Sequence, residues 1–256
     1  MMTAQRSVVI TGGSSGLGAA TAQLFTEEGW VVHAFDLHPG TLPAQAVFRR
    51  VDVRDDQSVK DAFDAVQDSG VQLRCLVHCA GITAFGPSQP GQLIDPETGS
   101  VLQNFETIEN VLRTNLLGTF SVVRHGAALM SRNADASENG AIILTSSGAA
   151  LDGKAGQSAY SASKAGIAGM TLPLARELSD ASIRVAAIAP GLFDTPILAG
   201  TPKLERHVPF PARVGIPQEF AQLAMQIYEN KYLNAEVIRL DGGIRGGFIS
   251  NSPFVR

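Results

Sequence analysis

Tyr160 and Lys164 stand four residues apart in Tyr160-Ser161-Ala162-Ser163-Lys164, a spacing that puts both on one face of a helix. A phenol with a pKa of about 10 is a poor base at neutral pH, and a cation held beside it favours the phenolate. Such a pair can exchange a proton with an alcohol or a ketone. Alone the motif is weak, because Tyr and Lys also share helical faces as surface decoration. Ser147 adds to it. It lies 13 residues before Tyr160, just after the apolar run Ala141-Ile142-Ile143-Leu144, where a hydroxyl can hydrogen-bond a substrate oxygen. Ser146 competes for that role, since a one-residue shift of the strand end exchanges the two. Asn115 falls inside a long helical pattern, where Asn is slightly unfavourable. Gly118 follows closely and allows a local irregularity that frees a backbone carbonyl for water; the plain alternative for Asn115 is a solvated helix position.

A second constellation precedes the first. Thr11-Gly12-Gly13-Ser14-Ser15-Gly16-Leu17-Gly18 sits where a first strand meets a first helix. Gly12, Gly16 and Gly18 permit a tight turn, close approach to a pyrophosphate, and close helix–strand packing. The helix N-terminus adds unpaired N–H groups and a positive dipole end. The spacing is G-x3-G-x-G rather than G-x-G-x-x-G, and a glycine cluster can also be a mere sharp turn; its place after the first strand favours a nucleotide. Asp36 closes the second strand, 18 residues after Gly18. A carboxylate there accepts from ribose hydroxyls and repels a 2′-phosphate. Leu37 after it is not basic, and Ser14 stands where an Arg would help NADP, so both favour NAD; the plain alternative for Asp36 is a solvated carboxylate at a strand end.

These residues need a scaffold, and short apolar runs alternating with helix-period stretches describe one. Strands are expected at Ser7–Thr11, Trp30–Phe35, Ala46–Val51, Leu73–His78, Ala141–Thr145, Arg184–Ile188 and Glu236–Leu240. Helices are expected at Gly16–Glu28, Gln57–Ser69, Phe105–Met130, Ser158–Leu178 and Pro217–Glu229. Gly86–Gly99 is the least regular stretch, with a small hairpin within Gln92–Gly99. The alternation predicts an α/β fold: a doubly wound, Rossmann-type parallel sheet of about seven strands with helices on both faces, forming a single domain over residues 1–256. Ligands in such sheets bind beyond the carboxyl ends of the strands.

Composition narrows the function. The chain has 256 residues, 45% hydrophobic and 17% charged, with a formal net charge of −4, which excludes disorder and gives no basic footprint for nucleic acid. No apolar run reaches the roughly 18 to 20 residues of a membrane helix. Two cysteines exclude a disulfide scaffold and fit a reducing cytoplasm. Cys75 and Cys79 lie in one strand, where four residues span about 13 Å, beyond the roughly 7 Å a disulfide permits. They are too sparse for a zinc site, so no metal is expected, and both read as buried packing thiols.

Taken in order, these motifs resemble the short-chain dehydrogenase/reductase family over nearly the whole chain. Thr11–Gly18 is similar to its cofactor loop, with Gly12, Ser15, Gly16, Leu17 and Gly18 at the phosphates. Asp52-Val53 is similar to its adenine-contacting pair, Cys79-Ala80-Gly81 to the segment after its fourth strand, and Pro190-Gly191 to the turn flanking the nicotinamide. Asn115, Ser147, Tyr160 and Lys164 match its catalytic tetrad. The resemblance implies that Tyr160 is the general acid/base, that Ser147 orients the carbonyl, and that Lys164 lowers the Tyr160 pKa and binds the nicotinamide ribose. It implies that Asn115 holds a water in a proton relay while hydride passes to or from the nicotinamide. One departure is His78-Cys79 where the family often has Asn-Asn; His78 reads as a structural substitution.

In the second half, Gly169-Met170-Thr171-Leu172-Pro173, Ala189-Pro190-Gly191-Leu192-Phe193, Val208–Arg213 and Glu236–Gly242 resemble the subfamily of type-two 3-hydroxyacyl-CoA dehydrogenases, also described as 17β-hydroxysteroid dehydrogenases. That resemblance implies Phe193 and Thr195 at the nicotinamide end of NAD, Gln157 near the substrate, a kinked helix at Pro173, and a homotetramer. A substrate lid is expected over about 195–214. Its Lys203, Arg206 and Arg213 would suit the phosphates of an acyl-CoA, and its Ile197, Leu198, Leu204 and Phe210 would suit a steroid or aryl ketone equally. A 3-hydroxyacyl-CoA is the leading substrate. The alternatives are another secondary alcohol, an NADPH-dependent ketoreductase, and a nucleotide-sensing protein without chemistry; the intact tetrad speaks against the last.

Overall fold

The computed structural model describes residues 5–83, 91–133, 138–153, 155–198 and 208–245. Among them, the β-branched runs form strands β1 (Arg6–Thr11), β2 (Val31–Asp36), β3 (Val47–Arg50), β4 (Gln72–His78), β5 (Gly140–Thr145), β6 (Ile183–Pro190) and β7 (Val237–Leu240). They make one sheet, ordered β3-β2-β1-β4-β5-β6-β7, with every neighbouring pair parallel. The chain winds outward from β1 to β3, then returns to β4 on the other side of β1. That reversal opens a crevice at the carboxyl ends of β1 and β4.

Helices cover both faces, which is why β5 and β6 are buried at every position. One face packs Val8, Ile10, Val77, Ile143 and Ile188 against α1 (Gly16–Glu27) and the late helix Pro217–Glu229, through Phe25 and Phe220. The other packs Val9, Leu76, Ile142 and Leu144 against α2 (Asp56–Gln67), α4 (Gly118–Met130) and a 20-residue helix, Ser158–Glu177, on which α3 (Phe105–Leu112) packs in turn through Val111 and Ala159. Between α4 and the 20-residue helix lies a short helix, α5 (Ala149–Asp152), so Ser158–Glu177 is α6 and Pro217–Glu229 is α7. Burying each of Phe25, Phe220 and Leu76 completely contributes roughly 1.5–3 kcal/mol. The caps follow local chemistry: Asp55 accepts from the N–H groups of Gln57 and Ser58, Asn104 accepts from Glu106, and Pro217 opens α7.

Most boundaries agree with the sequence reading to within a residue or two. The expected Phe105–Met130 helix is interrupted: Arg113–Leu117 is a π-type turn, in which the Gly118 N–H reaches back to the Arg113 carbonyl. Gly118 is needed there for approach as much as for irregularity, since a Cβ on it would stand 2.8 Å from Val53 Cγ2. Pro173 is accommodated inside an unbroken α6. The small hairpin lies slightly later than expected, with Ile94 opposite Val101, and α5 has no counterpart in the sequence reading. Residues 84–90 and 199–207, which include Lys203, Leu204 and Arg206 of the expected lid, fall outside the described residues.

His33 is buried on β2, and neither ring nitrogen has a hydrogen-bond partner among the described residues. Burial, aided by the Arg49 charge, pulls its pKa down from 6.5 to about 4. The folded state therefore resists a proton that the unfolded chain accepts as pH falls below 6.5. Stability should fall between pH 6.5 and 4, with a slope approaching about 1.4 kcal/mol per pH unit from this group. Denaturant unfolding at several pH values is expected to show that slope, and His33→Val is expected to flatten it. An equal slope in the variant would remove His33 as the cause.

Candidate active site

A cleft of about 590 Å³ opens at the carboxyl ends of the central strands. Every residue assigned above to the cofactor lines it: Gly12, Ser15, Gly16, Leu17 and Gly18 after β1, Asp36 after β2, Asp52 and Val53 after β3, Cys79, Ala80 and Gly81 after β4, and Pro190, Phe193 and Thr195 after β6. Ser147, Gln157, Tyr160 and Lys164 share the same wall. Segments as far apart in sequence as Gly12 and Thr195 thus meet in one place because a parallel sheet brings all its carboxyl ends to one edge.

The nucleotide end is a helix terminus kept open. The N-cap of α1 is Ser15, which makes no side-chain cap, and the first turn holds no acidic residue, so its amide donors remain available to an anion. Gly18 packs against the returning turn so tightly that a Cβ there would stand 2.1 Å from the Gly12 carbonyl oxygen. Asp36 is held rigidly: Oδ2 accepts from the Ser14 N–H at 3.1 Å, and Oδ1 accepts from the Leu37 N–H at 2.7 Å. Each oxygen keeps a further lone pair for a ligand hydroxyl. Asp52 is gripped by Arg54, whose Nε and Nη2 donate to it at 2.9 and 2.6 Å, and hydrogen bonding to that guanidinium lowers its pKa. Arg54 also donates to Asn110, closing this end of the cleft.

The structure separates the two serines. Both border the cleft, but Ser146 is buried with its hydroxyl donating to the Lys164 carbonyl at 2.9 Å, whereas the Ser147 hydroxyl hydrogen-bonds the Tyr160 phenol. The helix α6 carries Tyr160 and Lys164 one turn apart, with Nζ 5.9 Å from the Tyr160 ring centroid. Lys164 Nζ donates to the Thr145 carbonyl at 2.8 Å, and burial pulls its pKa down to about 8, leaving it mainly charged at neutral pH. Burial pushes the Tyr160 phenol up and the Ser147 hydroxyl draws it back. In this geometry desolvation, rather than the lysine, dominates the Tyr160 pKa, so the phenol holds its proton at Oη at neutral pH.

Asn115 stands behind the wall and is completely buried. Its Oδ1 accepts from the Ile82 N–H at 2.8 Å, and its Nδ2 donates to the Ile82 carbonyl at 2.9 Å and to Ser163 Oγ at 3.0 Å. It pins the segment after β4 to α6, beside Lys164. Cys75 is a buried packing thiol, and Cys79 lines the cleft at the place assigned to it behind the cofactor; burial pushes the Cys79 pKa up to about 12, which keeps it an unreactive thiol. Among the described residues no group of three His, Cys, Asp or Glu can hold a metal.

Sequence reasoning missed several wall residues. Arg239 on β7 grips Asp152 of α5 with two bonds, at 2.8 and 2.5 Å, and donates to Asp241 at 2.6 Å. This clamp holds the turn beyond Ser147 against β7 and the turn after it, and all three side chains border the cleft. A weak signal existed, since Leu240-Asp241-Gly242 closes a strand at the ligand edge. Ile82, Thr83 and Leu192 also line the cleft and carried no motif. Arg213, a candidate for acyl-CoA phosphates, instead forms a bidentate pair with Glu219 at 2.7 and 3.0 Å.

This arrangement matches known proteins over its full extent. A family model described as short chain dehydrogenase matches residues 6–205. A human protein named 3-hydroxyacyl-CoA dehydrogenase type-2 is 43% identical, with 96% of this chain and 99% of the relative covered. The protein of that name from Drosophila melanogaster is 41% identical over 93% of this chain and 96% of its own. The crystal structure of a 3-hydroxyacyl-CoA dehydrogenase type-2 from Mycobacterium avium superposes with a TM-score of 0.84 at 33% identity, covering 96% of this chain and 98% of that one. The cleft at the strand ends, the Ser147–Tyr160–Lys164 wall and these likenesses converge: the chain belongs to the short-chain dehydrogenase family and is an oxidoreductase acting on CH–OH groups.

Proposed function

We propose that this enzyme interconverts a 3-hydroxyacyl-CoA and the corresponding 3-ketoacyl-CoA with NAD. The observation that carries the substrate class is the likeness, over nearly full length, to proteins named for that activity. NAD is supported by the rigid Asp36 carboxylate at the end of β2, which suits free ribose hydroxyls and repels a phosphate. The open terminus of α1 and the closely packed Gly18 suit the pyrophosphate. NAD supplies the hydride acceptor of the alcohol oxidation, and NADH the donor of the reverse.

The chain's own residues bind, orient and move the proton. Ser147 and Tyr160, already hydrogen-bonded to each other, receive the substrate oxygen; Tyr160 Oη gives its proton to the forming alcohol in the reduction, and in the oxidation it first loses that proton to water and then, as the phenolate, takes the proton of the substrate alcohol. Lys164, charged and 5.9 Å from the ring, stabilises the phenolate formed on proton release and offers donors to a ribose. Asn115 fixes the backbone at Ile82 and beside Lys164, the route by which the resemblance passes a proton to water. Gln157 borders the substrate side, and Phe193 and Thr195 the nicotinamide side.

The test is a panel of acetoacetyl-CoA, a simple aryl ketone and a steroid ketone, each with NADH and NADPH. The highest kcat/KM is expected for acetoacetyl-CoA with NADH; a steroid or aryl ketone far ahead would replace the substrate assignment. Asp36→Ala is expected to lower the preference for NAD over NADP by about a hundredfold, since juxtaposed like charges cost several kcal/mol. An unchanged ratio would remove the role given to Asp36.

A homotetramer in the cytoplasm completes the proposal. Leu117 and Phe120 on the α3–α4 stretch and Leu172 on α6 are large, apolar and exposed. Free Cys75 and Cys79 suit a reducing setting, and among the described residues no helix is long and apolar enough to cross a membrane. Light scattering of the purified enzyme tests the assembly.

A further inference from the structure

His78 plays no part in the proton transfer above, yet it joins the two halves of the site. It ends β4 and is completely enclosed. Its Nδ1 lies 2.7 Å from the Thr11 hydroxyl oxygen, and its Nε2 lies 2.9 Å from that of Thr119. The outer bonds of this series have only one polarity each. The Asn115 carbonyl, 2.5 Å from Thr119 Oγ1, can only accept, so Thr119 donates to it. The Ala80 N–H can only donate, and it does so to Thr11 Oγ1 at 3.1 Å.

With its one hydrogen committed to Asn115, Thr119 Oγ1 must accept from the imidazole, which places a hydrogen on Nε2. The Thr11 hydroxyl then donates to a bare Nδ1. Every hydrogen is used once along a single direction: Ala80 N–H to Thr11, Thr11 to His78, His78 to Thr119, Thr119 to the Asn115 carbonyl. The opposite tautomer would leave Thr119 and the Asn115 carbonyl as two oxygens 2.5 Å apart with no hydrogen between them. An imidazolium would press a second N–H on Thr11 and leave the Thr11 hydrogen without an acceptor.

We infer that His78, fixed as the neutral Nε2–H tautomer, is a positioning residue that ties the cofactor turn after β1 to the π-type turn carrying Asn115. Thr11 leads directly into Gly12 on the cleft wall, and Asn115 fixes Ile82 and contacts Ser163 beside Lys164. One ring thus sets the spacing between the phosphate-facing turn and the proton-transfer wall. Burial, aided by the Lys164 charge, pulls the His78 pKa down to about 3, consistent with a ring that stays neutral. The functional half of this inference rests on the reading of the cleft as a dinucleotide site; the tautomer does not.

Nitrogen-15 NMR of the histidine ring tests the tautomer in the unsubstituted protein. Nε2 is expected at the protonated position and Nδ1 at the unprotonated one, unchanged from about pH 5 to about pH 9. A titration within that range, or the Nδ1–H pattern, would overturn the inference whatever the activity. Kinetics test the positioning role. His78→Leu, which removes both bonds, is expected to raise KM for NAD and lower kcat by about tenfold or more each, because small misplacements of reacting groups are costly. His78→Asn keeps one donor and one acceptor and is expected to recover both parameters to within about threefold. Thr119→Val removes the His78 Nε2 bond and the link to Asn115 but leaves the Thr11 bond to Nδ1, so it should lower kcat while sparing KM for NAD. Full kcat in the Thr119 variant, or in a folded His78→Leu, would remove the positioning role. NADH fluorescence on binding to the unsubstituted protein separates the two readings: its absence removes the cofactor assignment, whereas its presence beside an unaltered His78→Leu removes only the role of His78.

Discussion

Tyr160→Phe is expected to lower kcat by about 10²–10⁴-fold while leaving NADH binding within a few-fold of the parent, the range of effect for a positioned acid/base. The substitution removes one oxygen from a ring that is carried on α6 and lines the cleft, so packing changes little. What disappears is the phenol hydrogen-bonded to Ser147, which carries the proton in the proposed reaction. Ser147 would still orient that oxygen, and Lys164 would keep its bond to the Thr145 carbonyl. Steady-state kinetics with NADH fluorescence titration make the comparison. A variant within about tenfold of the parent kcat would sink the assignment of Tyr160 as the proton carrier. Loss of cofactor binding alone would reassign it to the cofactor site.

The second large effect lies far from the cleft and concerns stability. Arg184, on β6, pairs with Glu138 at 2.5 Å with both side chains about nine-tenths buried. Three further N–H groups donate to the carbonyls of Ile227 and Tyr228 at the end of α7, both at 2.9 Å, and of Leu233 at 2.5 Å. Glu138 also pairs with Lys231. Arg184→Met therefore strands a buried carboxylate and uncaps the last carbonyls of α7. The expected destabilisation is about 3–5 kcal/mol in urea unfolding, the usual cost of removing one partner of a buried pair. Leu at Glu138 in the same chain should recover part of it, because an apolar pair leaves no charge without a partner. A loss below about 1 kcal/mol would mean that Lys231 and water suffice for Glu138. For the fraction that remains folded, kcat should be unchanged.

Much of the architecture is legible because its signals are local. The β-branched runs, the glycine turn after Thr11, and Pro217 at the start of α7 each write an element within a few residues. Tyr160 and Lys164 are legible for the same reason, since one helical turn suffices to place them together. The π-type turn at Arg113–Leu117 was signalled only by Asn115 and Gly118 lying inside a helical pattern, which could not say what the irregularity packs against. The short helix α5 left no trace, because its four residues are too few to show a period.

By itself, then, the sequence determined the chemistry on offer: a Tyr–Lys pair with a serine upstream, a phosphate turn, an acidic strand end, and an alternation that forces a parallel sheet. Only the tertiary structure decided how those parts meet. It tied the Ser146 hydroxyl to the Lys164 carbonyl and the Ser147 hydroxyl to Tyr160, placed Asn115 behind the wall, committed Arg213 to Glu219, and brought Arg239 from β7 to brace α5 beside Ser147. It also ordered the hydrogens around His78, joining Thr11 to Thr119 across more than a hundred residues. The division has one physical cause. Propensity and periodicity act within a turn or a strand, whereas hydrogen-bond polarity and side-chain facing depend on partners that only the folded sheet brings within reach.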